Sequence, residues 1–440
     1  MKFILPAIGT ATALSLLAFS ALQISAEAVG PPDHTETFQK LELFADVMAR
    51  VRNDYVVDVD DGELIENAIN GMLQSLDPHS GYISPENFKD QQVSMSGEYG
   101  GLGMEVTMEN GVVKVVSPID ETPAKRAGIE SGDYITEING ESIIGIGLSE
   151  AVDRMRGKPG DPISITVIRG NEDPMEITMT REVIERIPVR HDVRDGVGYL
   201  RISHFNEKTG KSLKEAVKAL KAEMGGRIPG VVLDLRGNPG GLLEQSIKVS
   251  SAFLDGGEVV STRGRETGDT QRYNAQKGEL LRNIPVVILI DGASASASEI
   301  VAGALQDRGR ALVLGLTSFG KGSVQSIIPL RGGRDGALRL TVQRYYTPAG
   351  RSIQATGIVP DIAVAAKPDN GKGNKTLRES DLPNSIINAL EDMEAGDGDE
   401  SISIDYPPEG YDEEGDYQLE KAIEILKNGS YRTQLLAAGK

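Results

Sequence analysis

Apolar residues recur at three- and four-residue intervals from Thr35 to about Gln74. Leu41, Phe44, Val47 and Val51 form one stripe, and Leu64, Ala68 and Met72 the next. That period is helical, so the stretch predicts helices that serve as a cap or docking arm. SLDPHSGYISPENF then breaks the pattern with Pro78 and Pro85. From Tyr99 to about Arg169 the chain shifts to short β-type runs. GMEVTMENGVVKVV predicts two strands joined at Asn110-Gly111, and DYITEINGESI a second pair joined at Asn139-Gly140. Asn-Gly is the strongest two-residue hairpin signal. Leu148, Val152 and Met155 mark one short amphipathic helix, and ISITVIRG a closing strand. A module of roughly 70 residues, mostly β, is of ordinary domain size.

Beyond Gly196 the two periods alternate. VGYLRI, GVVLDL, PVVILI and ALVLG are apolar strands, and SLKEAVKALKAEM, GLLEQSIKVSSAFL and ASEIVAGALQD are helices. Continuous apolar strands alternating with helices predict a buried parallel sheet built from βαβ units, an α/β fold. After Ala366 the pattern fades. KPDNGKGNK is polar, and the acidic stretch from Glu394 to Asp416 predicts a flexible linker. One more helix, YQLEKAIEILK, presents Leu419, Ala422, Ile423 and Leu426 on one side.

Composition narrows the function classes. A chain of 440 residues holds two or three domains, and 39% hydrophobic with 25% charged residues is that of a soluble globular protein. The net charge of -19 argues against nucleic acid as a partner, since nothing would neutralise the phosphates. With no cysteine, disulfides, thiolate metal sites and a cysteine nucleophile are excluded. Lys2, the apolar run Ile4–Leu22 and Ala26-Glu27-Ala28 read as a secretory signal peptide. The alternative is an uncleaved anchor, because the run nearly reaches the ~20 residues that span a bilayer. Either way the expected location is outside the cytoplasm, in the periplasm.

GLTSFGKGS, residues 315–323, comes within one residue of a phosphate-binding loop, with Gly322 where the magnesium-binding hydroxyl belongs. GSVQSIIPL follows, with β-branched residues and no helical period, whereas a phosphate loop opens a helix. Lys321 therefore needs another role. DGASASASEIVAGAL, residues 291–305, runs from the end of a parallel strand into a helix, where α/β proteins bind their ligands. A nucleophilic serine there needs a base. His34, His79 and His191 lie outside the α/β region, His204 sits at its first strand, and no G-x-S-x-G elbow is present. Ser-Lys is a variant of the same logic. The lysine must be neutral, so its pKa has to fall from about 10.4 to about 7–8, mainly through burial. Lys321, between Gly320 and Gly322 and near Phe319 and Val324, is placed for burial, and Gln325 supplies an uncharged amide to orient it.

ASASASEIVAGALQDRGRALVLGLTSFGKGSVQSIIPL resembles the catalytic stretch of the carboxyl-terminal processing peptidases, or tail-specific proteases. LDPHSGYISPENF, GGLGMEV, DLRGNPGGLL and YYTPAGRSIQATGIVPD extend the resemblance in the same order along the chain, up to about residue 366. The resemblance implies a serine endopeptidase with a crotonase-type core and an inserted PDZ domain. By position it implies Ser296 as nucleophile, Lys321 as base and Gln325 as the orienting residue. It implies an oxyanion hole from the N–H of Ala297 and that of Gly240 or Gly241. In the PDZ domain, Leu102, Gly103 and Met104 would hold a substrate's terminal carboxylate, with the tail added as a strand. The expected layout is a signal peptide (1–28), helical segment (29–98), PDZ domain (99–172), peptidase core (173–366), and acidic linker with a helix (367–440). Expected partners are proteins or peptides with apolar C-termini, an adaptor, further copies of the chain and a membrane surface, with no cofactor or metal. The rival classes are a non-enzymatic PDZ scaffold or chaperone, against which Ser296, Lys321 and Gln325 speak, and an acyl-CoA enzyme on the same fold.

Overall fold

The computed structural model describes residues 35–439, apart from 171, 186, 267, 369–376, 387–402 and 413. The signal segment and most of the acidic stretch lie outside the described residues. No helix among those described is long and apolar enough to cross a membrane. The chain divides into two units, Met1–Ile65 and Glu66–Lys440. The first holds helix Thr35–Asp54, on which Phe38, Leu41, Phe44 and Val47 are exposed. Helix Asp61–Gln74 begins there as well.

In the second unit, residues 104–180 close a β module. Strands Met104–Glu109, Val112–Pro118, Tyr134–Ile138, Pro162–Ile168 and Met175–Thr180 pair antiparallel in that order. Both Asn-Gly turns behave as their sequence demands: Asn110 and Gly111 have φ of 53° and 78°, Asn139 and Gly140 of 50° and 78°. Two consecutive positive φ values are those of a type I′ turn, whose twist matches the strands it joins. Helix Leu148–Met155 packs its apolar side on a core that includes Val113, Ile135 and Ile165.

The α/β core is a six-stranded sheet in the order 189–194, 197–202, 231–234, 286–290, 312–315 and 362–363. The first pair is antiparallel and the other pairings are parallel. Helices Thr209–Glu223, Leu243–Ser251 and Ala297–Asp307 contribute to the core on one face. Helix Tyr417–Lys427 covers the other, through Leu419, Ile423 and Leu426 against Val232, Val287 and Leu312. A strand fully buried on both faces has no polar positions to alternate, which is why Val286–Ile290 reads as an unbroken apolar run. A second sheet places Ala337–Tyr346 between Gly81–Ile83 and Glu258–Arg263, and also pairs it with Ser323–Pro329.

The expected free linker needs correction at its described end. Asp405 N donates to Ala363 O, and Ala365 N donates to Asp405 O, both at 2.9 Å, so residue 405 is stitched to the edge of the core sheet. Asp416 takes both terminal nitrogens of Arg236 at 2.7 Å. Arg236 in turn binds the fully buried Asp234 at the end of a central strand. The acidic composition of 403–416 therefore includes anchors, because a carboxylate facing a half-buried guanidinium is ordered by a bidentate pair.

Candidate active site

The strand Val286–Ile290 ends at Asp291, and the chain turns sharply into the helix that begins at Ala297. Ser296 sits at that corner with φ 55° and ψ −111°, a conformation that L-residues rarely adopt and that costs of order 1–3 kcal/mol. Its neighbours in the serine stretch are engaged elsewhere. Ser294 Oγ donates to Leu235 O at 2.9 Å and Ser298 Oγ to Asn238 O at 3.0 Å, and both serines are fully buried. Ser298 holds the serine turn against the glycine turn and Ser294 holds it against Leu235, the residue after strand Val231–Asp234, whereas Ser296 remains partly exposed.

The glycine turn, residues 237–241, follows the strand Val231–Asp234. A Cβ on Gly240 would lie 2.9 Å from both Ala297 N and Ser296 Cβ, so only glycine lets this turn approach the serine so closely. The Gly240 N–H is itself engaged, donating to Asn238 Oδ1 at 2.9 Å. The N–H groups of Ala297 and Gly241 have no hydrogen-bond partner among the described residues. Of the two turn amides considered from the sequence, the available one is therefore Gly241.

Lys321 arrives on the loop between strands Leu312–Gly315 and Ser323–Pro329. A strand, not a helix, follows it, and a Cβ on Gly322 would meet Gln354 N at 2.2 Å. Gly322 thus marks a close backbone crossing. The Lys321 side chain is partly buried and makes no ion pair or hydrogen bond among the described residues. Burial lowers its pKa, helped by Arg339 and opposed by the charges of Glu379, Glu299 and Asp77. Gln325 Nε2 donates to Ser323 Oγ at 2.9 Å and to Thr341 Oγ1 at 3.2 Å. That fixes the orientation of its carboxamide and leaves Oε1 as an acceptor.

Glu299 joins these parts. It is fully buried, and its Oε2 accepts the backbone N–H of Ser296 at 2.7 Å and that of Lys321 at 2.9 Å. The two backbones meet across a single oxygen atom. Oε1 accepts Ser318 Oγ at 2.6 Å and Gly320 N at 2.7 Å. Sequence reasoning passed over this residue, although the Glu three positions after Ser296 is the capping-box signal that could have found it.

In the β module, Ile119 N and Thr122 Oγ1 take the carbonyl of Gly103 at 2.9 and 2.8 Å, and Ala124 N takes that of Leu102 at 2.8 Å. A groove of about 280 Å³ runs along this turn, lined by Leu102, Gly103, Met104, Val106, Val152 and Met155. Arg156 at its edge pairs with Asp90 at 2.6 Å.

Comparison with known proteins gives the family. Residues 196–364 match peptidase family S41, residues 100–177 match the PDZ domain, and residues 8–87 match the N-terminal domain of the activating protease CtpB. A carboxy-terminal-processing protease of Bartonella bacilliformis is 48% identical over 93% of each chain. The chain belongs to the carboxy-terminal processing proteases of peptidase family S41. Carboxy-terminal processing protease CtpA of Bacillus subtilis is 34% identical, over 77% of this chain and 72% of that one. Among solved structures, the photosystem II D1 C-terminal processing protease is 27% identical over 73% of this chain and 92% of that one, with a TM-score of 0.42. The protein is a serine peptidase of mixed α/β fold carrying a PDZ domain, a class of module that binds peptide C-termini.

For this protease the Glu299 clamp has a pH consequence. Burial pushes its pKa up to about 7 against four donors, two on each oxygen. A raised folded-state pKa means that its contribution to stability is full below about 4.5 and is lost as pH rises through about 7. The fold accepts that cost, about 3 kcal/mol, to keep an acceptor with two lone-pair faces in place at alkaline pH. Glu299→Gln would turn an NH₂ group towards at least one backbone N–H donor, since each oxygen accepts one or two of them. We expect a loss of roughly 2–4 kcal/mol in unfolding free energy and about 10²-fold in kcat with little change in KM. Urea unfolding and steady-state kinetics check this; wild-type kcat in the variant contradicts the clamp.

Proposed function

We propose that the protease is an exported endopeptidase that cuts protein substrates near their C-termini, with Ser296 as nucleophile and Lys321 as general base. The observation that carries this is the shared Glu299 oxygen, which brings a strained serine and an unpaired, partly buried lysine together beside two free N–H groups. The neutral Lys321 amine takes the Ser296 Oγ proton as Oγ attacks the scissile carbonyl. The N–H groups of Ala297 and Gly241 stabilise the resulting oxyanion, a contribution of about 3–4 kcal/mol for one donor of such a hole. The Lys321 ammonium returns the proton to the leaving amine, and the acyl ester is hydrolysed by water along the reverse path. Gln325 Oε1 orients the amine without adding a charge that would favour its protonated form.

The core is read as crotonase-type, and the PDZ groove as the tail site. With the carbonyls of Leu102 and Gly103 held by the module, the N–H groups of the turn through Met104 are donors for a terminal carboxylate, and the tail adds as a strand beside an apolar pocket. Export follows from the apolar run Ile4–Leu22, which allows either release or membrane association. The exposed apolar stripe of helix Thr35–Asp54 supports self-association or an adaptor there.

Amidating the C-terminus of an unstructured, apolar-tailed substrate removes the charge those N–H groups receive. We expect kcat/KM to fall about tenfold or more, the scale of one charge-assisted hydrogen bond. Equal cleavage of free-acid and amidated substrates would remove the PDZ groove from substrate selection.

A further inference from the structure

The turn Asp77–Ser80 lies outside the segment that matches the peptidase family, yet two hydrogen-bonded lines run from it to the strand that follows Lys321 and to the residue next to it. On the first, Asp77 Oδ1 accepts from Thr341 Oγ1 at 3.0 Å, and Thr341 Oγ1 accepts from Gln325 Nε2 at 3.2 Å. On the second, His79 Nε2 donates to Glu379 Oε2 at 2.7 Å, and Glu379 Oε1 accepts from Gln354 Nε2 at 2.9 Å. Gln354 Oε1 then accepts the Gly322 N–H at 3.0 Å. One line ends on the carboxamide of Gln325, on the strand that follows Lys321, and the other on the backbone of the residue next to Lys321.

The turn is firmly held. Asp77 is 3% exposed, and it accepts the N–H groups of His79 and Ser80 at 2.9 Å each and Ser80 Oγ at 2.6 Å. Glu379 and Gln354 are fully buried. Strand Gly81–Ile83 pairs with 337–339, and Arg339 Nε donates to His79 O at 2.7 Å. The charges that act on the Lys321 amine come largely from this assembly: Asp77 from the turn, Glu379 held by His79, Arg339 bonded to the turn backbone, and Glu299 from the clamp. A buried carboxylate such as Glu379 requires its donors, and a turn that only linked two domains would not need to supply one.

Taking Lys321 as the base, we propose that the turn Asp77–Ser80, acting through Thr341 and Glu379, positions Lys321 and Gln325 for catalysis. The peptidase domain is then incomplete without the segment that precedes the PDZ domain. Asp77 and His79 are positioning residues, since neither touches the substrate.

The test uses the purified full-length protein with steady-state kinetics across pH. His79→Ala breaks the second line, and we expect kcat to fall about 10²-fold with KM nearly unchanged, as for a misplaced catalytic group. Asp77→Asn keeps an oxygen for Thr341 and removes one charge. One anion fewer near the amine disfavours the ammonium form, so the acid limb of kcat/KM should move to lower pH. The second variant keeps the test decisive if His79→Ala fails to fold. Wild-type kcat in His79→Ala, or an acid limb unmoved in Asp77→Asn while Lys321→Ala is inactive, would overturn the positioning role alone. Full activity in Lys321→Ala would overturn the base assignment, and the proposal with it.

Discussion

Ser296→Ala is expected to lower kcat/KM by about 10⁶-fold, the scale seen when a serine protease loses its nucleophile. The loss should come without loss of fold. Its backbone N–H, which alanine retains, carries the bond to Glu299, and its Oγ caps only the first turn of the helix that begins at Ala297. We expect the unfolding free energy to fall by no more than about 1 kcal/mol, the scale of one helix cap. Ser294→Ala and Ser298→Ala contrast in activity. Each removes a buried hydroxyl that ties the serine turn to a backbone carbonyl, Leu235 or Asn238, so each should cost about 1 kcal/mol of stability while keeping most activity. Product release followed by mass spectrometry, with urea unfolding alongside, checks all three. An active Ser296→Ala, or an inactive Ser298→Ala with a sound fold, would move the nucleophile elsewhere.

Lys321→Arg should be as inactive as Lys321→Ala. Arginine keeps the charge and much of the length, but it cannot deprotonate in a protein and so cannot accept the Ser296 proton. A lysine that merely attracted an anion would tolerate the change in part. The wild-type profile should rise with pH, because the amine must lose its proton to act as a base, and burial eases that loss. Substantial activity in Lys321→Arg, or a profile that falls between pH 6 and 8, would contradict the general-base role.

Much of this was legible in the chain, and the physical reasons differ from element to element. Asn110-Gly111 and Asn139-Gly140 specify their turns locally, since both residues must adopt positive φ, and the structure has them. The unbroken apolar run at Val286–Ile290 could only be a strand buried on both faces. The serine stretch 291–305 and Lys321 stand out because each breaks local expectation: a row of small residues where one cap suffices, and a near-miss phosphate loop followed by a strand. The choice of Ser296 within the stretch is what the family resemblance implies. What stayed hidden depends on contacts between distant positions. Glu299 looks like a capping residue until Ser318, Gly320 and Lys321 are folded against it. His79 and Glu379 are 300 positions apart, and the second lies in a stretch whose composition resembles a linker. Gly240 and Gly241 could not be told apart until the Asn238 side chain was seen to engage the first.

The central claim is that Ser296 is made nucleophilic by a neutral Lys321, and covalent trapping tests it most directly. The wild-type protein and Lys321→Arg would be incubated with a fluorophosphonate across pH 6 to 9, and the adduct located by peptide mapping. The account predicts an adduct on Ser296 alone, forming faster as pH rises and absent from Lys321→Arg. An adduct on Ser294, Ser298 or Ser318, or equal labelling of Ser296 in Lys321→Arg, would contradict it.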